Sequence, residues 1–217
     1  MSESSKEKLL QAAIQNFATC GYEGASTRQI AAAAGVNISA IAYYFGGKRG
    51  LYRAVLTCIS DAVKGQFLLP AKEAKEKLAD PKLSHDELLA IAKKMLSDFT
   101  EFLLGDNVPP AIVHILLREQ VEPSEDFPLL YEPTIKKMHE LLTQAIARLS
   151  GLAFPSEEAT ICAHAIIGQI IVFKTHKAIA LHRLKWKKYG EKEIAKIINM
   201  VLQNMDRIAS GSAKARG

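Results

Sequence analysis

A chain of 217 residues with 48% hydrophobic and 24% charged side chains can bury one large core or two small ones, and it lies in the ordinary globular range. No apolar run approaches the roughly 20 residues that a bilayer-crossing helix needs, so a soluble chain without membrane partners is expected. Three cysteines, Cys20, Cys58 and Cys162, are odd in number, far apart and without CxxC spacing, which argues against a disulfide framework or a thiolate metal site and reads as buried small hydrophobes. The opening MSESSKEKLL has acidic residues and no long apolar core, so no targeting signal is expected and the cytoplasm is the expected location.

In chain order the periodicity is helical almost everywhere, and the period-2 runs of a sheet are missing; the fold class expected is all-α. A first helix spans about 5–20, with Leu9, Ala13, Phe17 and Cys20 on one stripe and Gly21 as its stop. Two short helices and a longer one complete residues 1 to about 66. The stretch 70–82, PAKEAKEKLADPK, is charged, poor in large apolar residues and bounded by prolines, and reads as a boundary segment that admits a helical turn or two. Amphipathic helices follow near 84–105, 109–121, 127–150, 156–183 and 190–209, with Pro109, Pro128 and Pro155 at or near starts. Ser84 with Glu87 forms a capping box and Ser156 caps the next helix but one; the tail SGSAKARG is expected to fray.

The net charge of +5 is unevenly spread. Residues 24–60 hold Arg28, Lys48, Arg49 and Arg53 and no acid, whereas 61–173 hold 11 basic against 17 acidic side chains, a net of −6. A cationic head beside an acidic body suits a polyanion partner for the head alone, because phosphate contacts dominate nucleic-acid affinity; a solvated basic face is the alternative.

Residues 26–45, STRQIAAAAGVNISAIAYYF, explain such a head. Ser26 or Thr27 caps a helix whose Ile30 and Ala34 face inward, Gly35 supplies a tight turn, Val36 fills the core, and Ile38 to Phe45 form a second short helix. The spacing of Ala31, Gly35, Val36 and Ile41 puts a small residue where two helices cross, a glycine at the bend and apolar residues at the core positions after it. This is the pattern of a helix-turn-helix, whose second helix fits the major groove.

The same residues resemble the TetR family of regulators: Thr27, Ile30 and Ala31, then Ala34-Gly35-Val36, then Tyr43-Tyr44-Phe45, then Lys48 with Leu51 and Tyr52, over about residues 8–60. The chain departs from many members in Ala42 and Ile38, which bears on the base-reading set more than on the fold. The resemblance implies that Thr27 and Arg28 contact phosphates, that Ser39, Ala40 and Tyr43 face base edges and thymine methyls, that Tyr44 reaches the backbone and that Lys48 is a further phosphate anchor. It also implies two domains: a DNA-binding domain over 1–66, with its motif at 26–45, and an effector-binding and dimerisation domain over 67–217. The segments 118–135 and 168–190 resemble the carboxy-terminal domain of CecR (YbiH-like) regulators within the family.

In that second half, residues 156–173 are apolar on more than one face and, with the last helix, suit a four-helix dimer interface; an intramolecular core is the alternative. Phe99, Phe102, Ile115, Phe127, Tyr131, Met138 and Phe173 suit a small-molecule pocket with His114, Arg118 and Glu119 as polar contacts, or else plain core with an Arg118 ion pair. The basic run 174–188 reads as a solvated rim. No cofactor is expected, and no HExxH, GxSxG or Walker-type loop speaks for an enzyme. The expected function is a ligand-responsive repressor acting as a homodimer on double-stranded DNA, the rival being an all-helical adaptor with a basic head.

Overall fold

The computed structural model describes residues 4–214, without the side chains at 68 and 210–214. These residues form helices α1 (Ser5–Gly24), α2 (Thr27–Ala34), α3 (Ser39–Phe45), α4 (Lys48–Leu78), α5 (His85–Leu104), α6 (Pro110–Val121), α7 (Pro128–Leu130), α8 (Lys136–Ser150), α9 (Glu157–Thr175), α10 (Lys177–Leu184) and α11 (Glu191–Lys214). A π-type turn, Tyr131–Ile135, joins α7 to α8. The fold is all-α. Helix α11 carries through the tail expected to fray as far as Lys214, and the last three positions lie outside the described residues.

α1 starts on a capping box that periodicity does not reveal: Ser4 Oγ accepts from the Glu7 N–H and Glu7 Oε2 accepts from the Ser4 N–H at 2.8 Å. Its buried face, Leu9, Ala13, Ile14, Phe17 and Ala18, is centred near Phe17. Cys20 stands at the margin of that face and is exposed, and Cys58 and Cys162 are half-buried, which corrects the reading of three buried thiols. Gly21, at φ 72°, breaks the helix before its last turn.

The chain folds into two compact units. The first takes residues to Phe67 together with Pro109–Lys136, so α6 and the π-type turn, placed by sequence with the second domain, build into the body of the head. α1 packs on α2, α3 and α6, and Leu9, Phe17, Ile30, Leu51, Leu56 and Ile115 are fully buried. Pro110 opens α6 at a position where a missing N–H costs little.

The second unit takes Leu68–Val108 and the residues from Lys137 on. The boundary expected at 70–82 is instead the end of α4, which runs through Pro70 to Leu78. A proline inside a helix forfeits one hydrogen bond, and here burial of Ala74 and Leu78, one turn apart, holds the helix beyond it. α5 opens on the expected box of Ser84 and Glu87 and packs against α9 and α11. Lys93 pairs with Asp206 at 2.6 Å and Asn204 Nδ2 donates to Gln169 Oε1 at 2.8 Å across these helices.

The single helix expected over 156–183 is two helices bent by 77° at His176. The Phe173 carbonyl, which an unbroken helix would hold for the N–H four residues on, accepts the Tyr189 hydroxyl at 2.9 Å instead. No single helix among the described residues is long and apolar enough to cross a membrane.

Candidate nucleic-acid interface

α2 is eight residues long and ends at Gly35, whose φ of 66° and ψ of 31° lie in the left-handed region. Gly35 N–H donates to the Ala32 carbonyl and Val36 N–H to the Ala31 carbonyl, both at 3.1 Å, closing the turn. Nothing lies within 4 Å of where a Gly35 Cβ would stand, so the position demands glycine for its backbone angle and not for space. Ile30 and Ala31 are buried, while Ala34 and Val36 are half-buried.

α3 begins under Asn37, whose Oδ1 accepts both the Ser39 N–H at 2.9 Å and the Ser39 hydroxyl at 2.8 Å. Sequence reading missed this cap; its signal was an asparagine two residues before a serine. Ile41 alone anchors the seven-residue helix, at 2% exposure. Its outer face is bare: Tyr43 is 82% and Tyr44 41% exposed, Ser39 is exposed and Ala40 half-buried. The end of α3 lies so close to α4 that a Cβ on Gly50 would stand 1.7 Å from the Phe45 carbonyl oxygen, so this crossing admits only glycine.

The cations of the head divide into two groups. Arg28 is exposed in the first turn of α2, beside half-exposed Thr27. Lys48 donates to the Glu23 carbonyl at 3.1 Å and sits 4.8 Å over the Tyr22 ring, which uses one of its three N–H groups and aims the ammonium. Arg49 and Arg53 are spent elsewhere: Arg49 Nη2 meets Glu125 Oε2 at 2.8 Å and Arg49 Nε meets Asp126 Oδ2 at 3.4 Å, while Arg53 Nη1 meets Asp126 Oδ1. The acid-free stretch 24–60 is therefore less cationic in space than in sequence.

Among the pocket candidates, Arg118 donates to the Phe17 carbonyl at 2.9 Å, and buried Glu119 accepts the Tyr52 hydroxyl at 2.6 Å and the Ser124 hydroxyl at 2.9 Å. Burial and the bond to Glu119 push the Tyr52 phenol well above its usual range, so it stays a donor. His114 is exposed, and Phe127 stacks on Tyr131 with ring centroids 5.5 Å apart. In the second unit, Phe102 is buried and Phe99, Met138 and Phe173 are half-buried.

A glycine-turned helix pair with a bare second helix, carried on a helical body, is the build of a helix-turn-helix DNA-binding regulator. Residues 9–55 match the bacterial regulatory proteins of the tetR family, and residues 89–212 match the C-terminal domain of the HTH-type transcriptional dual regulator CecR. The chain is 32% identical to that regulator from Shigella flexneri over 209 residues, 96% of this chain and 93% of the relative. It belongs to the TetR family of transcriptional regulators, in the branch that carries the CecR carboxy-terminal domain. The fold is shared with a transcriptional regulator from Pseudomonas aeruginosa PAO1 (TM-score 0.61, 16% identity, 97% of this chain and 92% of that one). It is also shared with AibR, solved with isovaleryl coenzyme A and operator DNA (TM-score 0.64, 19% identity, 92% and 96%).

Proposed function

We propose that the protein is a ligand-responsive repressor that binds a pseudo-palindromic operator as a homodimer and leaves it when a small-molecule effector binds. The observation that carries this is the bare outer face of α3, where Tyr43 is 82% exposed on a helix otherwise held by Ile41. Thr27, Arg28 and Lys48 meet phosphates, Tyr44 reaches the backbone, and Ser39, Ala40 and Tyr43 face bases. Two such helices about 34–36 Å apart fit successive major grooves.

Supporting the homodimer is the second face of α9, where Ile161, Ala165, Gly168 and Val172 are exposed at helical spacing. Residues 1–66 would read DNA and 67–217 would dimerise and hold the effector, with Phe99, Phe102 and Phe173 as apolar candidates from the second unit. Arg118 and Glu119 contribute to the head's integrity in this reading and serve the ligand only indirectly, and His114, Phe127 and Tyr131 remain candidates on accessible surface. AibR, of the same fold, binds an acyl-coenzyme A and operator DNA together, so the architecture accommodates both. The role is one of binding, with no catalytic step and a cytoplasmic site of action.

A gel-shift titration against genomic fragments at two salt concentrations tests the reading. Selective retention of particular fragments at physiological salt is expected, and equal binding to all fragments would leave the adaptor reading.

A further inference from the structure

We propose that residues 118–126 are a positioning clasp that sets how α1 and α4 cross beneath the reading helix, and that Arg49 and Arg53 serve operator recognition through this clasp and not through phosphates. The segment lies between α6 and α7 and touches the head at three places. Arg118 Nη1 holds the Phe17 carbonyl and packs beside the break at Gly21, where a Cβ would stand 3.1 Å from it. Buried Glu119 receives the Tyr52 hydroxyl, and the Tyr52 ring in turn stands 4.8 Å edge-on to Phe17 and 5.0 Å from Tyr22. Tyr22 is the ring over which Lys48 lies, so one continuous run of contacts leads from Glu119 to the first residue of α4. Asp126, with its carboxylate only 7% exposed, takes both arginines of the first two turns of α4, and Glu125 takes Arg49 a second time.

Charge bookkeeping separates this from direct DNA contact. Arg49, Arg53, Glu125 and Asp126 cancel as a group, leaving no surplus for a phosphate, whereas Arg28 and Lys48 face no acid in a comparable pair. A buried carboxylate with two guanidinium partners is costly to leave half-paired, so the group has one strongly preferred geometry. α3 rests on α1 and is joined to α4 by a short glycine turn, so the orientation of its tyrosines follows the crossing that the clasp holds.

The proposal rests on α3 being the reading helix, which Tyr43→Ala tests separately. The experiment measures affinity for a selected operator and for random duplex over a range of salt, with thermal melting of each variant. Arg53→Gln and Tyr52→Phe are expected to lower operator affinity about tenfold while random-duplex affinity and the salt slope stay at the parent's values, as lost orientation and not lost charge requires. Arg53→Lys, which keeps the pair with Asp126, is expected to restore most of the operator affinity. A fall of about 0.9 in the salt slope for Arg53→Gln would make Arg53 a phosphate contact and overturn the proposal. Operator affinity equal to the parent's in both variants would reduce the segment to packing and overturn it equally. Should Tyr52→Phe fail to melt cooperatively, Arg49→Gln, at a half-exposed side chain, gives the same reading.

Discussion

The Tyr43 ring stands edge-on to Tyr44, with centroids 4.9 Å apart and planes at 77°, and both rings lie outside the core that Ile41 anchors. Large aromatic surfaces left in water on a helix with one buried residue contribute little to folding. Tyr43→Ala is therefore expected to leave the melting temperature almost unchanged and to bring operator affinity close to that for random duplex, a loss of about 1–3 kcal/mol per base contact. Parent-like discrimination in competition gel shifts would remove Tyr43 from the reading set.

Lys48→Ala separates the general from the specific term. Loss of one phosphate contact weakens binding to every sequence and flattens the salt slope by about 0.9. The same change releases the Glu23 carbonyl and the Tyr22 ring, a cation–π contact worth about 0.5–1 kcal/mol at an exposed site. A small fall in stability should accompany the fall in affinity, and an unchanged salt slope would show that Lys48 only staples the end of α1.

Much of the head was legible in the sequence because its demands are local. Gly35, four residues after Ala31 and followed by Val36, marks a turn whether or not the partner helices are known, and the structure places that turn at φ 66°. Gly50 looked like an unremarked residue in a helix, because the close approach of Phe45 that it permits follows from how α3 returns onto α4. Charge counting was misled for a related reason. Arg49 and Arg53 are 73 or more residues from Glu125 and Asp126, and no window over 24–60 contains the acids that neutralise them. The bend at His176 depends likewise on Tyr189, sixteen residues from Phe173.

The two glycines give contrasting costs. Gly35→Ala meets no atom and strains only φ, so it is expected to cost about 1 kcal/mol. Gly50→Ala drives a methyl into a backbone oxygen that no rotamer can move, with an expected cost of about 3 kcal/mol or more. Urea unfolding of both variants checks the ranking, and equal costs would contradict the packing of α3 on α4.

Burial, and secondarily the neighbouring His164, push the His139 imidazole down to about 4 from an ordinary 6.5. The rings lie 4.9 Å apart between α8 and α9. As pH falls, the unfolded chain takes up this proton first, so the stabilising contribution is fully present above about pH 6.5 and drains away toward pH 4. Its size is about 2–3 kcal/mol after allowance for partial exposure. Urea midpoints for the parent and His139→Phe at pH 7.5 and 4.5 should show the larger acid loss in the parent; parallel losses would place the acid sensitivity elsewhere.

Helix α9 buries Ala159, Ala163, Ile166, Ile167 and Ile170 within its own unit and leaves Ile161 59% and Val172 42% exposed on another face. Between them Ala165 and Gly168 are also exposed, and a Gly168 Cβ would meet nothing within 4 Å, so another helix can approach closely there. Covering such a stripe in a second copy of the chain removes apolar area from water at about 25 cal/mol per Å², which a carboxylate in the stripe would oppose by its desolvation. Ile161→Asp is expected to sediment as a monomer at micromolar concentration with an unaltered helical spectrum. It should also lose operator affinity by about 100-fold, because each recognition helix then binds without the effective concentration supplied by its twin. A dimer that survives this substitution would move the interface off α9.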